Sequence, residues 1–212
     1  MNNEKYRKLT SWLIAAWFVF ALSASALHLF QGQPAAPPIA LGLAVLIPVI
    51  VFGAWFRLSP EFRAFVLNLN PRTLTMVHSW RVVGYAFLVL YAYGVLPGGF
   101  ALPAGWGDIA IGLTAPLVSM KLVSRSHRAT FILWQILGMA DLVTAVALGT
   151  ASRFLSASQI TTAPMAVLPL SLIPTFGVPL FFILHIISIA QARRWQETVP
   201  MHGRESLPGV VV

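Results

Sequence analysis

"APMAVLPLSLIPTFGVPLFFILHIISIAQARR" covers residues 163 to 194 and places proline at 164, 169, 174 and 179 within an otherwise membrane-like run. A helix over 163–192 would be about 45 Å long at 1.5 Å per residue, well beyond the roughly 30 Å of a bilayer's hydrocarbon, so its beginning must lie outside, tilt or unwind. Pro164 and Pro169 then fall in an outer loop or a first turn. Pro174 and Pro179, with Gly177 between them, fall inside the span, where each proline removes a backbone donor and frees a carbonyl one turn earlier. Such a break persists in hydrocarbon only where neighbouring helices, hydroxyls or water satisfy the freed groups. Two readings compete: a kinked helix buried among others, or a broken helix lining a ligand or ion path.

Working outward, the whole chain has the same character. Of 212 residues, 58% are hydrophobic and 9% charged, and the mean hydropathy is +0.79. A soluble domain carries about 25% charged residues, so lipid must be the solvent for much of this surface. The net charge of +8 does not point to nucleic acid, because the basic residues form short clusters between apolar runs rather than one polar face. There is no cysteine, which excludes disulfides, thiolate metal sites and thiol nucleophiles.

The runs predict an all-α membrane protein, one transmembrane domain with six spans at about 10–30, 38–56, 74–96, 103–121, 130–149 and 170–191. Of the fourteen Lys and Arg, twelve lie before span one, after span six, or between spans two and three and spans four and five. The opposite loops hold only Arg153, so the positive-inside rule predicts that both termini, including the tail 193–212, are cytoplasmic. The order "KYRK", apolar run, "SASA" also fits a signal peptide cleaved near Ala24-Ser25-Ala26, an alternative that leaves five spans. At 59–70 a short interfacial helix is expected. Ser59 caps it, Pro60 opens it, Phe62, Phe65, Val66 and Leu69 share a face, and Asn70-Pro71 ends it.

Ionisable residues inside apolar runs cost on the order of 3 kcal/mol each on insertion scales, so they need partners or a function. "GWGDIAIG" (105–112) and "GMADLVTA" (138–145) share one pattern, with Asp108 and Asp141 each thirteen residues from a basic residue at the cytoplasmic end of its span. Both then sit roughly 20 Å from that boundary on antiparallel helices, level with each other. Ala104, Gly112 and Ala115 share the face of Asp108, and Gly138 and Ala145 that of Asp141, which turns both carboxylates toward protein. They either accept hydrogen bonds, from the Trp106 or Trp134 indole or a freed backbone donor, or hold a shared proton or a cation.

"HSWRVVGY" puts His78, Arg81 and Tyr85 on one face if it is α-helical. Arg81 either snorkels to the near interface or pairs with an aspartate about 7 Å deeper. His78 and His185 fall at similar depths, about 9 and 12 Å from the cytoplasmic boundary, which admits them as axial ligands of a haem between spans three and six. Gly105-Trp-Gly107-Asp-Ile-Ala110 fits a dinucleotide pattern, but no strand precedes it. No nucleophile elbow, zinc-protease motif or phosphate loop occurs, and the reading leans away from an enzyme.

"RVVGYAFLVLYAYGVLPGGFALPAGWGDIAIGLTAPL" (81–117) and "LIPTFGVPLFFILHIISI" resemble segments of uncharacterised bacterial multi-pass inner-membrane proteins. The resemblance implies a bacterial cytoplasmic membrane and carries no activity. Three functions are open: solute or cation passage coupled to protonation of Asp108 and Asp141, with Arg81 as counter-charge and the Pro174–Pro179 break lining the path; a haem-binding redox subunit using His78 and His185; and a non-catalytic scaffold. Beyond the lipid bilayer, a second copy of the chain or a partner subunit is an open expectation.

Overall fold

A computed structural model describes residues 3–32, 38–155 and 160–195, with 153–155 described as backbone only. The expected tail beyond 195 with Arg204, most of the first outer loop and the Arg153 side chain lie outside the described residues. Among the described residues every regular element is helical: α1 (Asn3–Ala26), α2 (Ile39–Leu58), α3 (Pro60–Leu67), α4 (Pro71–Val77), α5 (Tyr85–Ala92), α6 (Gly98–Lys121), α7 (Arg128–Leu155) and α8 (Val178–Arg194). A 3-10 helix, His78–Gly84, fuses α4 to α5, a second covers Ala163–Ala166, and a π-helical turn, Ile173–Gly177, opens α8. Taking α4 to α5 as one rod, and the π turn with α8 as another, six helical rods are long and apolar enough to cross a membrane.

The ends of the rods follow from local chemistry. α1 begins at residue 3 rather than 10 and stops earlier than expected because His28 adopts φ 59°. His28 N–H then donates to Ser25 O at 3.1 Å and Leu29 N–H to Ala24 O at 3.0 Å, a left-handed helix terminus. Gly94, at φ 69°, ends the third rod in the same way, with Val95 N–H on Leu90 O at 2.8 Å and Gly94 N–H on Tyr91 O at 2.9 Å. The short helix after α2 forms as its sequence requires. Ser59 Oγ accepts from Phe62 N–H at 3.2 Å, Pro60 is the first helical residue, and Phe62, Phe65 and Val66 are buried against Tyr6, Phe52 and Ile187.

α6 lies centrally, packed on the third rod and on α7, while α8 packs on α7, α2 and α4. Large side chains such as Trp12, Phe20, Ile50, Leu113 and Met120 point away from the protein, as a lipid-facing surface requires. α1 is peripheral and meets the bundle at α3 and the π turn.

That second contact resolves the proline question. In an α-helix Thr175 O would accept from the N–H of residue 179, but Pro179 has none. The Trp17 indole of α1 donates to Thr175 O instead, at 3.2 Å, and its ring packs on Phe176 with centroids 4.8 Å apart. Pro174 likewise frees Leu170 O, which accepts from Ile173 N–H at 3.0 Å. Widening to a π turn lets Val178 N–H reach Ile173 O. Both carbonyls released by the prolines therefore have donors, one of them borrowed from another helix. Trp17→Phe should lower stability in detergent by about 1 kcal/mol, the net worth of one such bond. In a Pro179→Ala background, where Thr175 O regains a helical donor, the same substitution should cost much less. Thermal unfolding of the four proteins of this cycle measures the difference.

Candidate functional site

The site is built on the third rod, where the helix type differs from expectation. An α-helix would place His78, Arg81 and Tyr85 together, but residues 78–84 form a 3-10 helix with three residues per turn. His78, Arg81 and Gly84 therefore line up, all buried, while Tyr85 turns outward at 58% exposure. Gly84 faces Asp108 of α6, and a Cβ there would overlap the aspartate side chain, 2.9 Å from Oδ2. The backbones approach this closely only because residue 84 has no side chain.

Arg81 does not snorkel. Its side chain is 1% exposed and runs into the bundle between the two aspartates. Nε donates to Asp108 Oδ1 at 2.7 Å, Nη2 donates to Asp141 Oδ2, and Nη1 donates to Gly138 O at 3.2 Å. One guanidinium thus ties α6 and α7 to the third rod, using the planar fork that lysine lacks. The two carboxylates are level, as their spacing predicted, but a cation stands between them where a shared proton was one expectation. The tryptophan donors are also not used: Trp106 is 62% exposed, and the Trp134 indole donates to Thr114 Oγ1 at 2.9 Å. Gly107 and Gly138 make the crossing possible, since a Cβ at Gly107 would strike Asp141 Oδ1 and one at Gly138 would strike the His185 ring.

His185 completes the surroundings of Arg81. Its Nε2 lies 3.3 Å from Arg81 Nη1, which can only donate, so Nε2 is an acceptor. The proton therefore resides on Nδ1, which donates to Gln135 Oε1, and the imidazole is neutral. His78 stacks on this ring at 3.9 Å and 22°, with Trp134 edge-on and Phe181 alongside. Both His78 ring nitrogens and Gln135 Nε2 are buried without a hydrogen-bond partner among the described residues.

The histidine pair does not fit haem. Two axial imidazoles must aim nitrogens at one iron from opposite sides, whereas these rings lie face to face at 3.9 Å, and both nitrogens of His185 are engaged.

A cavity of about 90 Å³ opens between the rod ends opposite the arginine-rich end and has Asp108 among its walls. That is room for a few waters at roughly 10–15 Å³ each. Phe87, Phe100, Leu142 and Met165 make it mostly apolar, and Thr150 and Thr162 add hydroxyls. Pro174 lines it with Ile173 and Val178, whereas Gly177 and Pro179 are not among its described walls. Asp108 retains 16% side-chain exposure, and its Oδ2 has no hydrogen-bond partner among the described residues.

All of these groups except the Trp17 donor fall within a single matched region. The family described as a domain of unknown function, DUF8737, matches residues 36–193. The chain belongs to the DUF8737 family. No curated protein and no solved structure matches it. Arg81, Asp108, Asp141, His78, His185 and Gln135 lie inside the DUF8737 region, and α1 lies before it.

Gln135 and Gly84 escaped the sequence reading. Gln135 had a usable signal, an amide inside an apolar run three residues before Gly138 and therefore on its helical face. Gly84 had none, because its alignment with Arg81 depends on the 3-10 geometry.

Removing one partner of a buried ionic cluster typically costs about 3–5 kcal/mol, because the other charges are stranded. Arg81→Met should therefore prevent accumulation of folded protein or lower its melting temperature sharply. Adding Asp108→Asn and Asp141→Asn, which removes the stranded charges, should recover most of that loss in detergent unfolding experiments.

Proposed function

We propose that the protein passes protons, or a small cation that competes with them, across a bacterial cytoplasmic membrane in which both termini face the cytoplasm. The observation that carries this reading is the asymmetry of Asp108. One of its oxygens is held by Arg81, the other has no hydrogen-bond partner among the described residues, and the residue is among those that line a cavity.

Charge balance supports the same reading. With both carboxylates ionised, Asp108, Arg81 and Asp141 carry one net negative charge, and His185 is neutral in the tautomer its partners select. One more positive charge makes the cluster neutral, and in a low-dielectric bundle neutrality is strongly favoured. A proton or small cation arriving through the cavity meets Asp108 first. Its binding weakens the attraction between Asp108 and Arg81 and leaves the guanidinium with Asp141, Gly138 O and His185. That change in Arg81 is the step by which occupancy on one side of the cluster is felt on the other. The cavity lies at the end with few basic residues, so the positive-inside rule makes it the extracytoplasmic entrance.

The test is flux in liposomes carrying a trapped pH-sensitive dye, driven by proton, sodium or potassium gradients. Asp108→Asn should reduce flux at least roughly tenfold, as loss of a required proton-transfer group does. Ala145→Phe, which fills the cavity without touching the ion cluster, should block flux equally. Unchanged flux in Asp108→Asn combined with Asp141→Asn rejects the proposal and leaves the cluster with a packing role.

A further inference from the structure

A second concave surface lies at the opposite end of the bundle, apart from the ion cluster. A groove of about 700 Å³ runs between α2 and the α7–α8 pair. Ile50, Phe52, Phe56, Ile186 and Ile189 are among its apolar walls, and Arg57 and Arg193 stand at one end. Both arginines are exposed, neither has a hydrogen bond or ion pair among the described residues, and no carboxylate lines the groove.

Their depth is fixed by the neighbouring structure. Arg57 lies two residues before Ser59, the cap of α3, and α3 begins where the α2 rod ends and turns its apolar face onto the bundle. Such a helix marks the boundary between hydrocarbon and headgroups. Arg193 is in the last turn of α8, whose Ala192 carbonyl accepts from Arg128 Nε at 2.9 Å at the start of α7. Both guanidinium groups are therefore at headgroup level. From Val49 to Arg57 the groove extends along α2 by roughly 12 Å at 1.5 Å per residue, close to one leaflet's share of a hydrocarbon layer of about 30 Å.

We propose that this groove binds one anionic glycerophospholipid of the cytoplasmic leaflet, with its phosphate between Arg57 and Arg193 and an acyl chain against the apolar wall. Charge and shape select this occupant together. The arginines supply two unshared cations for an acidic headgroup, and the continuous apolar channel beneath them suits a chain that a free phosphate lacks. Gly53 lines the groove beside open space, where a Cβ would meet no atom within 4 Å, so a long side chain there has room to enter the groove.

The experiment is native mass spectrometry of the full chain in detergent with equal amounts of phosphatidylglycerol and phosphatidylcholine. The expected result is retention of phosphatidylglycerol at least roughly tenfold over phosphatidylcholine, consistent with the usual strength of two arginines near an anionic surface. Arg57→Gln with Arg193→Gln should bring that ratio close to one. Gly53→Leu, which fills the channel but keeps both arginines, should also remove the retained lipid. Arg72→Gln, an exposed arginine at the same end outside the groove, should leave the ratio unchanged. Equal retention of both lipids by the parent protein, a preference surviving the double arginine change, or an equal loss in Arg72→Gln overturns the proposal. Normal retention in Gly53→Leu, or displacement of the lipid by millimolar inorganic phosphate, assigns the arginines to a free anion and overturns it as well.

Discussion

A guanidinium buried in a bundle of apolar helices needs an answering charge close at hand, and the shape of this protein follows from how Arg81 obtains it. Its fork takes one carboxylate from α6 and one from α7, so three rods must come within hydrogen-bond reach of a single plane. The third rod tightens to a 3-10 helix where Arg81 leaves the backbone, and glycine stands at 84, 107 and 138, where the Asp108 and Asp141 side chains and the His185 ring come closest. Irregularity in the helix and the loss of side chains at these glycines have one common cause.

A related rule, that backbone groups freed in hydrocarbon must find partners, explains the far side of the bundle. Two prolines in the last span release two carbonyls, and one is claimed within its own chain segment while the other takes an indole N–H from α1. α1 is the least integrated rod and lies before the family match, yet it supplies a donor that the Pro174–Pro179 segment cannot supply for itself. A break of this kind makes the last span dependent on its neighbour rather than intrinsically loose.

Much of this was legible in the residues. Six apolar runs, the Ser59 cap and the level pairing of Asp108 with Asp141 rest on length, capping chemistry and helical rise, which are local and additive. Among the boundaries that moved, the end of α1 is set by a left-handed terminus at His28, where a non-glycine residue at positive φ gives little warning in sequence, and the end of the third rod by one at Gly94. The face of the third rod was misread because α periodicity was assumed for a segment that is 3-10, which exchanged Tyr85 for Gly84. Depth alone put His78 and His185 near one another, but depth does not report ring orientation, and stacking rather than opposition decides what such a pair can ligate.

Packing alone is a weak reason for such a cluster. In hydrocarbon, leucines at 81, 108 and 141 would bring no desolvation penalty, and buried ionic triads can often be replaced by apolar residues without loss of stability. The present arrangement instead requires glycines that forgo side-chain packing, a 3-10 segment with its poorer hydrogen-bond geometry, and nitrogens on His78 and Gln135 without partners among the described residues. Each of these lowers stability relative to an apolar seam. All of these costs converge on one guanidinium, and Asp108, which it holds, also lines the cavity, which is why the function proposed above gives the cluster a charge that responds rather than a packing role alone.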